Sequence, residues 1–111
     1  MKLPPKFKQT IEGIFYDKEI SFYSANEIKG SLGSETVEKG IFLEKIMGNF
    51  QFQSKEVIQE LFGRNLEANA LITCSSTQSE INGFVVYQGV DYQITGMIPF
   101  DSHIKIAVKN V

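Results

Sequence analysis

The sequence predicts a mainly β protein, a small antiparallel β-barrel or sandwich with one short helix. Apolar and polar residues alternate in five to seven short segments that turn-forming residues separate. Only residues 54–62 show the spacing of apolar residues that is typical of a helix. The 111 residues suit a single β-barrel domain, residues 1–111. Pro4 and Pro5 favour an extended start, so we expect residues 1–7 to form a flexible N-terminal tail.

The N-terminal half predicts strands on either side of a long loop. The segment "KEISFYS" alternates Ile20 and Phe22 with polar residues, and "GNFQFQ" alternates two phenylalanines with polar residues. This alternation places Phe50 and Phe52 on one face, which is typical of core residues. Residues 26–40 contain three glycines and five charged residues, and we expect a long loop there.

The predicted helix has a start signal and a stop signal. Ser54 is a good N-cap, and Gly63 is a typical C-terminal stop. One face of the helix carries four apolar residues, which are Val57, Ile58, Leu61 and Phe62. Because a helix of this length is not stable by propensity alone, packing of that face must hold it.

The C-terminal half predicts a strand in "LEANALITCSS", then a hairpin, then a closing strand. In "YQGVDY", Gly89 suits the first central position of a type II′ turn, with Val90 second. Beyond the turn, alternation places three side chains toward the core, those of Tyr92, Ile94 and Ile98. In "HIKIAVKNV", Lys105 and Lys109 alternate with apolar residues, so we expect them to face outward and protect a sheet edge.

His103 and Cys74 are the residues with the clearest chemical potential. Strand geometry would let Asp101 pair with His103, and the alternative is a loop histidine whose ring packs against Tyr or Phe. Cys74 is the only cysteine, and its apolar neighbours favour a small buried side chain. The sequence has no serine-nucleophile motif, no set of four N/S zinc ligands and no glycine-rich phosphate loop. We therefore predict no catalytic, cofactor-binding or metal-ligating residues and no enzymatic activity.

The charge distribution disfavours a groove for nucleic acid. The net charge is −2, and residues 65–104 contain neither Lys nor Arg. Lys2, Lys6 and Lys8 form only a weak basic cluster near the N-terminus. The chain also lacks a secretory signal and an apolar run of membrane-spanning length, which predicts a soluble cytoplasmic protein.

Three motifs within residues 54–109 carry a resemblance to a known family. They are "GR.LEA.ALI" in residues 63–72, "V.YQG.DYQI" in residues 85–94 and "H.KIAV" in residues 103–108. This part of the chain resembles small head–tail connector proteins of tailed phages and prophages. Such proteins are also called minor capsid, head-completion or stopper proteins.

The resemblance implies a structural virion protein that has no cofactor and is assembled in the cytoplasm of a bacterial host. Several copies would form an oligomeric ring that closes the DNA-filled head and joins it to the tail. The expected partners are the portal or adaptor ring, tail proteins and packaged DNA passing through the channel, with no membrane. We hypothesise that the 26–40 loop is disordered in the monomer and becomes ordered in the ring. The alternative is another small β-barrel interaction module, either a tail-completion protein or an adaptor that binds protein or nucleic acid.

Overall fold

A computed structural model describes residues 16–29 and 35–111 of the chain. Its elements, in chain order, are β1 (Lys18–Lys29), β2 (Glu35–Phe52), α1 (Lys55–Phe62), β3 (Ala70–Cys74), β4 (Phe84–Tyr87), β5 (Val90–Pro99) and β6 (Ile104–Asn110). The predicted fold class, mainly β with one short helix, is confirmed. The expected tail, residues 1–7, lies outside the described residues.

The six strands form one antiparallel sheet that closes on itself. Their order is β1-β2-β3-β6-β5-β4, and residues 21–23 of β1 pair back with β4. Closure gives β6 a partner on each side, β3 and β5. The expectation that Lys105 and Lys109 protect a sheet edge is therefore wrong, because β6 is not an edge strand. Lys105 Nζ instead donates a hydrogen bond to Thr73 Oγ1 on β3, at 3.3 Å.

The interior of the barrel is filled by one cluster of apolar side chains. The buried members are Ile20, Phe22, Phe50, Ala70, Ile72, Cys74, Val85, Tyr87, Tyr92, Ile94, Ile106 and Val108. Phe50 stacks on Tyr87 with ring centroids 4.1 Å apart. Phe52 shares the face of Phe50 but is 67% exposed, so its predicted core position is wrong. It is the last residue of β2, and its ring contacts the edge of Phe50 rather than entering the barrel.

β5 contains a β-bulge at Thr95, where its register with β6 shifts by one residue. Tyr92 and Ile94 precede the bulge and face the core, as predicted. The extra residue reverses the alternation, so Met97 rather than Ile98 packs against the core cluster. The predicted core position of Ile98 is therefore wrong.

The turn between β4 and β5 is centred one residue earlier than predicted. Tyr87 pairs with Val90, which leaves Gln88 and Gly89 as the two central residues. Both have positive φ, 52° and 77° respectively, which is the signature of a type I′ turn. The predicted type II′ turn is wrong, because the pairing register makes Val90 the first residue of β5.

The helix begins and ends where the sequence predicts. Val57 N donates to Ser54 Oγ at 3.3 Å, and Gly63 has a left-handed backbone with φ 67°. Ile58 is 1% exposed, whereas Val57 is 51% exposed. Leu61 is also exposed. The four-residue apolar face is therefore only partly covered.

Small residues on the barrel wall allow the helix to pack closely. Ile58 packs with Ala107 of β6, which is fully buried although it faces away from the barrel interior. Gly96 of β5 lies under the same element, and a Cβ there would come within 3.0 Å of both Phe62 and Leu66. The outward-facing positions beneath α1 therefore require small side chains.

The segment predicted as a long loop consists largely of paired strand. β1 and β2 remain paired from Ala25 and Lys39 to Lys29 and Glu35, and residues 30–34 lie outside the described residues. The expectation of a loop is wrong for residues 26–29 and 35–40, which belong to paired strands. The ladder that starts in the barrel extends outward because each further pair adds to two strands that are already aligned, and this outweighs the glycine and serine content.

We call residues 24–29 and 35–41 the arm. In this region β1 and β2 pair with each other and with no other described strand. A two-stranded ribbon of this kind has free backbone groups along both outer edges.

In the described ranges, no helix has the length and apolar character needed to span a membrane.

Candidate functional site

The loop that precedes β6 holds the side chain of His103 in one position. The ring of His103 stacks on Phe100 with centroids 4.7 Å apart, and Nδ1 lies 3.0 Å from Ser102 Oγ. Phe100 N donates to the His103 carbonyl at 2.7 Å, which closes the loop. These contacts match the loop-histidine alternative. Within the described residues, the ring contacts Phe100 and Ser102 rather than Asp101.

Cys74 is a fully buried member of the barrel core, as predicted. Burial, followed by the nearby Glu44 carboxylate, raises the pKa of its thiol to about 11. Its Sγ lies 3.7 Å from the Ser76 carbonyl. The thiol is therefore protonated at neutral pH and shielded from reagents. Among the described residues, no group of three or more His, Cys, Asp or Glu side chains is placed to hold a metal ion.

The base of the arm is linked to the barrel by aromatic and charged side chains. Tyr23 and Phe42 pack edge to face, with ring centroids 5.6 Å apart. Lys39 Nζ lies 5.0 Å from the centre of the Tyr23 ring and 3.2 Å from Asp91 of β5. Each contact contributes at most about 1 kcal/mol at such exposed positions. Together they hold the arm against the strand that follows the β4–β5 turn.

The backbone at the arm base is irregular and closely packed. The register of β1 with β2 shifts on both sides of Tyr23. Ile41 N donates to Ser24 Oγ at 3.0 Å, and a Cβ at position 40 would lie 2.9 Å from the Ser24 carbonyl oxygen. Gly40 is therefore required by a close approach of the two strands, where the arm leaves the barrel.

Two large apolar residues are exposed at this point. Ile41 is 73% exposed and Phe42 is 53% exposed, although both belong to a paired strand. Their exposed area is apolar surface that contact with another molecule would bury. We call this pair the arm-base apolar pair.

A cleft of about 610 Å³ lies beside the arm base, and we call it the arm-base cleft. Its lining residues are Tyr23, Ser24, Ala25, Glu27, Leu43, Gln78, Glu80, Ile81, Asn82 and Gly83. Thus one wall comes from β1 and β2 around the arm base, and the other comes from the segment between β3 and β4. The volume falls within the range of clefts that bind small ligands or short peptide segments.

The carboxylate of Glu44 holds the second wall in position. Glu44 Oε2 accepts hydrogen bonds from Thr77 Oγ1 at 2.8 Å and from Gln78 N at 2.5 Å. Ser79 N donates in turn to Thr77 Oγ1 at 3.1 Å. At the lip, a Cβ on Gly83 would lie 3.1 Å from the Tyr23 carbonyl oxygen. The wall is therefore fixed to β2 by Glu44 and closely apposed to β1.

The arm-base cleft carries negative charge. Glu27 and Glu80 line it, and its lining includes no Lys or Arg. Within the described residues, neither carboxylate forms a salt bridge. Tyr23, Leu43 and Ile81 supply the apolar part of the lining. The combination suits a cationic group attached to an apolar stem, as in a lysine-containing segment.

Neither the cleft nor the arm was identified from the sequence. The cleft combines residues 23–27 with residues 78–83, which come together only because β4 pairs with β1. The absence of Lys and Arg from residues 65–104 was the one signal that pointed toward an acidic surface.

Comparisons of this chain with models of known protein families and with curated proteins find no match. The interpretation of the site therefore depends on its geometry and charge.

Proposed function

We propose that this chain is a structural virion protein of a phage or prophage head–tail connector. In this role, several copies form a ring that closes the DNA-filled head and joins it to the tail. The observation that supports the proposal best is a closed barrel bearing an arm with an exposed apolar pair at its base. A closed barrel offers few sheet edges for assembly, whereas the arm offers both free edges and apolar surface.

The arrangement of the three motifs is consistent with this proposal. "GR.LEA.ALI" runs from the end of α1 into β3, "H.KIAV" leads into β6, and "V.YQG.DYQI" spans β4 and β5. These strands are neighbours in the order β3-β6-β5-β4. The residues that carry the resemblance therefore form one continuous part of the barrel wall, which leaves the arm to make contacts outside it.

Self-assembly of the purified chain tests the proposal. We expect light scattering after size-exclusion chromatography to show an oligomer, and negative-stain electron microscopy to show rings. Replacing Ile41 and Phe42 together with serine should shift the chain toward the monomer, because the apolar pair would lie between subunits. A matched double replacement of Val57 and Leu61, which are exposed on α1, should leave the rings intact. A wild-type chain that stays monomeric at all accessible concentrations would contradict the ring.

The location of the protein provides a second test. After induction of a prophage that encodes the chain, antibody labelling should mark the junction of head and tail in the released particles. Particles that contain no copy of the protein would exclude the connector role. Genes for a portal or major capsid protein upstream, with tail genes downstream, would support it.

The acidic cleft favours a second candidate, a small β-barrel adaptor that binds a cationic protein segment. In that case the purified chain would remain monomeric and would be absent from virions, while the cleft would still bind lysine-rich peptide. Ring formation and virion labelling together therefore distinguish the two candidates.

A further inference from the structure

We infer that the arm-base cleft binds the lysine-bearing N-terminal segment, residues 1–10, of a second copy of the chain. The inference deepens the proposed ring function by naming the contact between neighbours. It joins a charged cleft of the described fold to the part of the sequence that complements it best.

The cleft needs an occupant that brings positive charge and apolar atoms together. Two carboxylates, those of Glu27 and Glu80, face it without a cation in its lining. Leu43 and Ile81 provide apolar surface, and Ile81 is partly exposed in the absence of an occupant. A small anion or a nucleic-acid phosphate would be repelled there, because no lining side chain is cationic.

Residues 1–10 have the matching composition. They contain Lys2, Lys6 and Lys8 and no acidic side chain, so the segment carries three positive side chains against two negative ones in the cleft. Leu3 and Phe7 stand between the lysines and supply apolar atoms. Pro4 and Pro5 restrict the backbone, which lowers the entropy that an extended segment loses when it docks.

The direction of β1 favours a second copy as the source of the segment. β1 starts at Lys18 opposite Gly48, and the cleft begins at Tyr23, farther along the same strand. At about 3.3 Å per residue, Tyr16 and Tyr23 are separated by roughly 23 Å. The chain therefore enters the barrel from the end opposite the cleft. To reach the cleft of its own chain, a segment joined to that end would have to run back along β1 over this distance, so we place it in the cleft of a second copy.

Paramagnetic relaxation in mixed samples tests this contact with the full chain. An unlabelled copy carrying Gln9→Cys and a nitroxide is mixed with a ¹⁵N-labelled copy without the nitroxide. Cys74 is buried, so the new cysteine takes the spin label selectively. We expect the amide signals of Glu27, Asn82 and Gly83 to broaden in the ¹⁵N-labelled copy, since only contacts between copies can produce this effect.

Two charge variants control the experiment. Glu27→Gln with Glu80→Gln should weaken the broadening and reduce association roughly tenfold, and added salt should do the same. Glu56→Gln with Glu60→Gln removes the same charge from the exposed surface of α1. This variant should change neither the broadening nor the association of the copies.

Two outcomes would overturn the inference. In the first, the broadening appears only in a sample where one chain carries both the spin label and the ¹⁵N label and is diluted into unlabelled protein, which would place the contact within a single chain. The other is no broadening at the cleft in either sample. Rings seen by electron microscopy without cleft broadening would leave the connector proposal standing and remove this contact. Broadening between copies without rings would keep the contact and remove the connector proposal.

Discussion

Gln88 shows how a single residue can limit the stability of the β4–β5 turn. It has a left-handed backbone, φ 52°, at the first central position of the turn. For a residue other than glycine, that conformation costs about 1–2 kcal/mol, and the cost is smaller for asparagine. We expect Gln88→Asn to raise the free energy of unfolding by about 0.5–1 kcal/mol, as measured by urea denaturation.

The neighbouring glycine provides the matched control. Gly89 has φ 77°, and a Cβ there would meet no other atom within 4 Å. Gly89→Ala should therefore destabilise the fold by about 1 kcal/mol through backbone strain alone. If Gln88→Asn and Gly89→Ala changed stability in the same direction, the type I′ assignment would be wrong.

Cys74 links burial to chemical reactivity. Since burial raises the pKa of its thiol from 9.0 to about 11, the folded state favours the neutral thiol. The contribution of the Cys74 thiol to the free energy of unfolding is fully present below the pKa of the unfolded chain. It is lost as the pH rises through about 11. We expect Cys74 to resist a thiol reagent in the folded protein at mildly alkaline pH and to react once the chain is denatured.

A surface cysteine provides the comparison for this measurement. Ser75 is the next residue and is exposed, so the thiol introduced by Ser75→Cys should react rapidly in the folded state. Equal reaction rates for the two thiols would show that the end of β3 opens readily.

The helix is the element whose stability depends most on packing. Its 8 residues are too few for a stable isolated helix, and Ile58 is the residue that buries it against the barrel. We expect Ile58→Ala to lower the free energy of unfolding by about 2–4 kcal/mol. Val57→Ala, one residue away but exposed, should change it by less than about 0.5 kcal/mol. Similar losses for both variants in thermal or urea unfolding would contradict the packing of α1.

The arm is the element that sequence patterns represented least well. Its glycines and charges suggested a loop, because composition reports local preference and not pairing. β1 and β2 are already paired within the barrel, so each further pair extends an existing ladder and needs no new nucleation. Alternation also misplaced Ile98, since a one-residue bulge reverses the faces of a strand and leaves no clear mark in the sequence.

At the scale of the whole molecule, the charge distribution predicts weak binding to DNA. Residues 65–104 have no Lys or Arg and form much of the barrel wall, and the net charge is −2. We expect the dissociation constant for duplex DNA at physiological salt to be weaker than about 10⁻⁴ M, measured by fluorescence anisotropy. A wall of this kind would let DNA pass through a ring without holding its phosphates.

A charge-reversed variant shows whether the assay can detect binding of this fold to duplex DNA. Glu67→Lys with Glu80→Lys should increase DNA binding and make it sensitive to salt. Tight and strongly salt-dependent binding by the wild-type chain would contradict the connector proposal and favour a nucleic-acid adaptor.

The sequence by itself determined the features that depend on local chemistry. Period-two alternation identified the strand segments of the barrel, and Ser54 and Gly63 marked the ends of α1 because caps act within one turn of the helix. The apolar setting of Cys74 was likewise evident from its neighbours along the chain.

Only the tertiary structure decided how those elements meet. Closure of the barrel removed the edge expected at β6, and the pairing register set the turn at Gln88 and Gly89. The arm-base cleft also depends on the tertiary structure, since long-range pairing of β1 with β4 brings residues 23–27 and 78–83 together. Such pairing is set by the packing of the whole core, which no local pattern of residues records.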